Sequence, residues 1–304
     1  MNYSEPVTKV YRFDEVESEV FRADSRKKLF SDDNFIEKIY HRLNVMLPKK
    51  GILSLDVFDT LIFRDSSSEL TRFYEIGQLM ANFVNDASKT GNMVDLDPNI
   101  TVRGIDAFWA RYMGTKATYR ASKPVQGCRE GSLREIHLTA SRMLCGSSSF
   151  VDAFIDIELG YEATRLEKND MILEYARKYK NKGGRVVLVS DMYMHSEHIN
   201  ELLCRLDIDP ILFDGIFSSA DSKVSKSSGG IFSKVESFMH AESKEFVHVG
   251  DSYKGDYKSP KENGWNALHI PIPEVEIIAR RTDHLKTARH LQDIYGLSVD
   301  IAMP

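Results

Sequence analysis

The chain has 304 residues, of which 42% are hydrophobic, and a formal net charge of −5. That apolar share is enough for a packed core and excludes wholesale disorder, while the acidic balance argues against a broad nucleic-acid-binding face. The three cysteines show no CxxC spacing, which excludes a disulfide framework or a thiolate zinc site. No run approaches the roughly 20 apolar residues of a membrane span. The N-terminus has no apolar run behind a basic start, so no signal peptide is expected and the reading is cytoplasmic.

Residues 1–30 are charged with little periodicity and read as a loosely structured lead-in. Ser31-Asp32-Asp33 then opens a helix with Ser31 as its cap, and Pro48 stops it. Its apolar face runs through Phe35, Ile39 and Leu43. The run GILSL at 51–55 reads as a buried strand. Helical periods follow at 69–84, 104–119, 132–144 and 149–166, with 85–99 rich in loop residues. Apolar runs recur at 185–189, 215–217, 246–249 and 267–270. They alternate with helical periods at 168–182, 196–206, 228–240, 257–263 and 273–295. Such alternation implies an α/β fold with a Rossmann-like, doubly wound, mostly parallel sheet, whose ligands bind at the carboxyl ends of the strands. The expected division is an N-terminal extension with one helix (1–48), an α/β core (49–67 and 166–272), an inserted helical cap (68–165) and a C-terminal helical segment (273–304).

Four short motifs sit at the predicted strand ends. They are Asp56-Val57-Phe58-Asp59-Thr60, Ser190-Asp191-Met192, Lys226 in Ser225-Lys226-Ser227-Ser228-Gly229, and Gly250-Asp251 followed by Asp256. A carboxylate in such a set can attack an electrophile and form a covalent intermediate. If the electrophile is phosphorus, a hard divalent cation such as Mg2+ neutralises its oxygens. Asp56, Asp251 and Asp256 are the expected ligands, with the Phe58 backbone carbonyl. Ser190 would hydrogen-bond the phosphoryl group, and Lys226 would supply a positive charge to it and to the nucleophile.

The order and identity of these motifs resemble the haloacid dehalogenase superfamily over roughly residues 50–67 and 165–270, and the insertion resembles its helical cap. The resemblance implies Asp56 as the nucleophile of a magnesium-dependent phosphatase acting on a small phosphorylated metabolite such as a sugar phosphate. Thr60, Arg64 and Asp191 would contact the substrate. The segments Ser54-Leu55-Asp56-Val57-Phe58-Asp59-Thr60-Leu61, Ser190-Asp191-Met192-Tyr193 and Lys226-Ser227-Ser228-Gly229 resemble a subgroup of predicted hydrolases linked to bacterial polysaccharide synthesis, which implies association with glycan-biosynthesis enzymes. One position departs from the pattern. The superfamily's phosphatases place an acid two residues after the nucleophile, and here that residue is Phe58. Asp59 or Asp191 could serve as the acid instead, the leaving group could need none, or phosphoryl turnover could be slow or lost. An aromatic there resembles the true haloacid dehalogenases, so carbon–halogen hydrolysis is a second reading. A non-catalytic partner in glycan assembly is a third.

Single residues have plainer roles too. Arg64 could bind an anion or pair with a surface acid, and Lys223 rivals Lys226. Arg103, Trp109, Arg111, Tyr112, Tyr119 and Arg120 could read a sugar phosphate, but such sets more often form a helix core and a solvated face. His195 and His198 lack a third partner for zinc.

Overall fold

The computed structural model describes residues 13–90 and 101–303. Residues 15–46 form three helices, α1 (Glu15–Phe21), α2 (Arg26–Leu29) and α3 (Asp33–Met46). The expected lead-in is therefore helical from residue 15. In α1 the Asp14 carboxylate accepts the Glu17 amide at 3.0 Å and the Glu17 carboxylate accepts the Asp14 amide at 2.7 Å. These helices are too short to show a period, yet Val16, Val20 and Phe30 are buried in the main core. Asp32, not Ser31, caps α3, accepting the Phe35 amide at 3.0 Å. Ser31 instead donates to the Lys27 carbonyl at 2.9 Å.

Strand β1 (Ile52–Leu55) is buried throughout, as a central parallel strand must be. A short β2 (Ile62–Arg64) follows and leads into the insertion: α4 (Glu69–Thr90), α5 (Gly104–Ala121), α6 (Leu133–Cys145) and α7 (Val151–Ala163). Residues 85–90 continue α4 instead of forming loop, and 91–99 lie outside the described residues. The chain returns through β3 (Leu166–Lys168), which pairs antiparallel with β2. This two-stranded ribbon was not foreseen, because three-residue strands carry no readable alternation.

The rest alternates: α8 (Asp170–Asn181), β4 (Arg185–Ser190), α9 (Ser196–Arg205), β5 (Gly215–Ser218), α10 (Ser219–Ser222), α11 (Gly230–Met239) and β6 (Phe246–Gly250). Then come α12 (Ser259–Glu262), β7 (Asn266–His269) and α13 (Glu274–Tyr295). Before α12, a π-helical turn spans Tyr253–Lys258, so the predicted helix at 257–263 begins earlier and wider. The sheet order is β5-β4-β1-β6-β7, with every pairing parallel, as the alternation implied. Leu55 pairs with both Leu188 and Val249, so β1, β4 and β6 end nearly level. No helix among the described residues is long and apolar enough to cross a membrane.

Both terminal segments dock. On α13, Asp283 accepts the Ser68 amide at 2.8 Å and the Thr71 hydroxyl at 2.6 Å, which fixes the start of α4. Beyond α13, the Asp300 amide donates to the Tyr112 hydroxyl at 2.9 Å and its carboxylate pairs with Lys116 at 2.9 Å on α5.

Candidate active site

Because β1, β4 and β6 end level, the residues that follow them converge at one edge. Asp56, Ser190 and Asp251 stand there, joined by Lys226 from the loop before α11 and Asp256 from the π turn. They line a cavity of about 210 Å³. One oxygen from each of Asp56, Asp251 and Asp256 lies within 4.8 Å of the others. Lys226 Nζ bridges two of these carboxylates, at 2.5 Å from Asp56 and 2.6 Å from Asp256.

Asp256 is further fixed by the Ser252 amide at 2.9 Å and by His248 Nε2 at 3.0 Å. Burial pushes His248 below the ordinary imidazole value, which keeps it neutral. A neutral ring donating from Nε2 accepts at Nδ1, where Ser54 Oγ lies at 2.7 Å. Gly250 makes room for this arrangement, since a Cβ there would stand 2.3 Å from Asp256 Cγ.

Three carboxylates around one ammonium leave negative charge unmatched, which bears on how each group holds its proton. Burial pushes Asp56 up to about 7, Lys226 opposes this and Asp256 adds to it. Asp251 is pushed well above its ordinary value by burial and then by Asp56, Asp59 and Asp256. Asp256 is held below the carboxylate range because Lys226 and His248 outweigh its burial. Lys226 stays charged: Asp256, Asp56 and Asp191 together outweigh its burial. The donor set is oxygen-rich, anionic and short of positive charge, so it fits a hard divalent cation. Ser190 Oγ, on the cavity wall, is buried with no hydrogen-bond partner among the described residues.

Other expected residues stand elsewhere. Asp59, a candidate acid, turns away from the cavity in a left-handed conformation with φ 63°. Arg280 donates to both of its oxygens at 2.9 and 2.7 Å, and Arg26 adds a bond at 3.0 Å. Burial alone would raise its carboxyl, but Arg280, Arg64 and Arg26 hold it well below the usual range. A carboxylate held ionised by arginines has no proton to give, so Asp59 is not the acid. Asp191 lines the cavity, but its oxygens accept the amides of Lys226 at 2.7 Å and Ser227 at 3.1 Å. Through these bonds it fixes the lysine loop. Thr60 is buried and does not line the cavity; its carbonyl accepts Asn169 Nδ2 at 2.8 Å.

Arg64 stands at the cavity and also pairs with an acid, though a buried one. Its guanidinium lies 4.4 Å from the Phe58 ring centroid on the cavity wall, and Nη1 is 3.6 Å from Asp59. In the insertion, Arg111 is fully buried and paired with Glu158 at 2.7 and 2.5 Å, a core role. Arg103 pairs with Asp106 on the surface, and Trp109 lines a separate cavity. Tyr112, Tyr119 and Arg120 line a groove between α5 and the C-terminal segment. Among the described residues, the Asp56 trio is the one cluster with metal-binding spacing; His195 Nδ1 lies 2.5 Å from an Asp221 carboxylate oxygen.

Sequence reading missed Met192, Ser227 and Ser252 on the cavity wall, the Ser54–His248 support beneath it and the Arg26–Arg280 clamp. The readable signal for the support was a polar residue in each of two apolar runs. Ser54 and His248 are direct neighbours across β1 and β6.

No protein-family model matches the chain, and no curated protein matches it. Several solved structures are similar at a distance. A HAD-family enzyme from Bacteroides thetaiotaomicron, crystallised with magnesium and inorganic phosphate, is 16% identical over 72% of this chain and 93% of its own, with a TM-score of 0.44. An L-2-haloacid dehalogenase from Xanthobacter autotrophicus with chloropropionic acid covalently bound is 13% identical over 72% and 76%, with a TM-score of 0.42. A predicted phosphoglycolate phosphatase from Haemophilus somnus is 14% identical over 75% and 88%, with a TM-score of 0.41.

Proposed function

We propose that this chain is a magnesium-dependent phosphatase that hydrolyses a small phosphorylated metabolite, a sugar phosphate, through an aspartyl-phosphate at Asp56. The observation that carries this reading is the convergence of three carboxylates within 4.8 Å, with Lys226 bridging two of them. Asp56, Asp251, Asp256 and the Phe58 carbonyl would hold the ion. Bound there, a divalent cation would neutralise phosphoryl oxygens and keep Asp56 ionised at neutral pH.

The protein's own groups do the rest. Lys226 holds Asp56 in place and meets the incoming negative charge, and Asp191 fixes the loop that carries it. The unpartnered Ser190 hydroxyl is free to donate to a phosphoryl oxygen. Arg64 offers a second positive group at the wall, with Phe58 beneath it. An adjoining cavity of about 340 Å³ shares Arg64, Met192 and Asp251 with the first. Its wall mixes the charged groups Arg64, Glu69, Arg72 and Arg280 with apolar surface from Phe73 and Ile272, which suits a small alcohol that carries both hydroxyls and carbon faces. The test is phosphate release from a panel of sugar phosphates with and without magnesium. Activity that survives Asp56→Asn would refute the mechanism.

Carbon–halogen hydrolysis remains a second reading because Phe58 lines the cavity at the position where phosphatases of this type carry an acid. It predicts halide release that persists after chelation. The carboxylate trio counts against it, since without a cation it repels an anionic haloacid.

A further inference from the structure

The phosphatase reading leaves the leaving oxygen without a proton donor, because Phe58 is apolar and Asp59 is held ionised. We propose that Glu69, at the start of α4, is that donor. The inference rests on the phosphatase reading.

In-line displacement fixes where the donor must stand. Attacking and leaving oxygens lie on opposite sides of phosphorus. Asp56 attacks from the sheet edge, so the alcohol departs toward the insertion. The cavity on that side adjoins the Asp56 cavity through Arg64, Met192 and Asp251, and Glu69 lines it. Its other carboxyls are committed. Asp59 is clamped by Arg280 and Arg26, and Glu162 pairs with Arg72 at 2.5 Å. Asp251 belongs to the cation site. The Tyr193 hydroxyl donates to Glu158 at 3.0 Å. Glu69 has no ion pair or hydrogen bond among the described residues, and its side chain is exposed to the cavity. Its carboxyl is raised above the ordinary value: the surrounding protein does this first, Arg64 and Arg111 oppose it, and Glu162 adds to the rise.

The step balances. An Asp56 oxygen bonds to phosphorus as the bond from phosphorus to the alcohol oxygen breaks, and the Glu69 proton passes to that oxygen. The Glu69 carboxylate then takes a proton from the water that attacks the aspartyl-phosphate. Phosphate leaves, and both carboxyls return to their starting states.

The experiment compares p-nitrophenyl phosphate, whose leaving group needs no protonation, with phenyl phosphate, whose leaving group is far more basic. Wild type, Glu69→Gln and Glu69→Asp are assayed with magnesium, and their melting temperatures are compared. The expected result is that Glu69→Gln melts like wild type and keeps its kcat/KM on the nitrophenyl ester within about threefold, because kcat/KM covers only the steps up to release of the alcohol and not the later water attack. On phenyl phosphate its kcat/KM should fall on the order of 100-fold, the usual worth of a positioned acid. Glu69→Asp, which keeps the acid, should recover part of that loss. An equal loss of kcat/KM on both esters, or none on either, overturns the donor assignment and leaves the phosphatase reading standing. If wild type turns over neither ester, the phosphatase reading falls and the donor falls with it.

Discussion

Replacing Asp59 with Asn separates a structural carboxylate from a catalytic one. Asn tolerates the left-handed backbone at φ 63°, so the change removes charge with little added strain. It also turns an amide NH2 toward guanidinium groups that are themselves donors. Arg26 and Arg280 are nearly buried, with side-chain exposures of 3% and 8%, and would face each other with the anion gone. Breaking a buried ion pair by removing one partner costs about 3–5 kcal/mol. Glu276 still pairs with Arg26 at 2.6 Å, which places the loss near the lower end. For a chain of this size that is a fall in Tm on the order of 10 °C. The pH dependence has a definite sign. The folded carboxyl sits below its unfolded value, so its contribution is complete above about pH 4 and is lost as pH falls toward the folded value. Thermal or urea unfolding of both proteins between pH 3 and pH 8 reads it. A loss under about 1 kcal/mol at neutral pH, or a difference that shrinks between pH 5 and 8, would refute the clamp. Loss of phosphate release without destabilisation would return Asp59 to the role of acid.

Three further outcomes follow from the same geometry. Asp56 takes up a proton in the folded, metal-free protein between its ordinary value and about 7, where the unfolded chain is already ionised. Its contribution to metal-free stability therefore declines as pH rises through that window, and magnesium must displace the proton. The rise in Tm on adding magnesium should then grow from about pH 5.5 to 8, and a flat profile would contradict it. Gly250→Ala crowds Asp256 and should weaken magnesium binding roughly 10–100-fold by calorimetry, with unchanged affinity as the contrary result. Lys226→Met should lower kcat for phosphate release on the order of 100-fold or more, and near-normal kcat would remove the lysine from the reaction.

The long-range architecture was legible because the five parallel strands sit in apolar runs at helix-length spacing. Asp56, Ser190, Lys226 and Asp251 were legible for a related reason, each standing soon after such a run or in the loop beyond it. The β2–β3 ribbon and the helices α1 and α2 were not, since three to seven residues hold too little periodicity to read. The fate of Asp59 was hidden by distance. Its partners lie 33 and 221 positions away, and only the docking of both terminal segments brings them in. Glu69 was equally silent, because one glutamate at a helix start reads as a favourable dipole contact.

The C-terminal helix carries a mechanical consequence. An insertion joined to its core by two strands alone can swing on them like a door. Here α13 leaves the core after β7, grips the start of α4 through Asp283, and its trailing residues lie along α5. That makes a third attachment, braced against the side that would open. The insertion then acts as a fixed wall, and the entrance admits substrates by static size and charge. On the proposed phosphatase reading, small phosphoesters would be selected by fit at the threshold, and turnover should depend little on solvent viscosity.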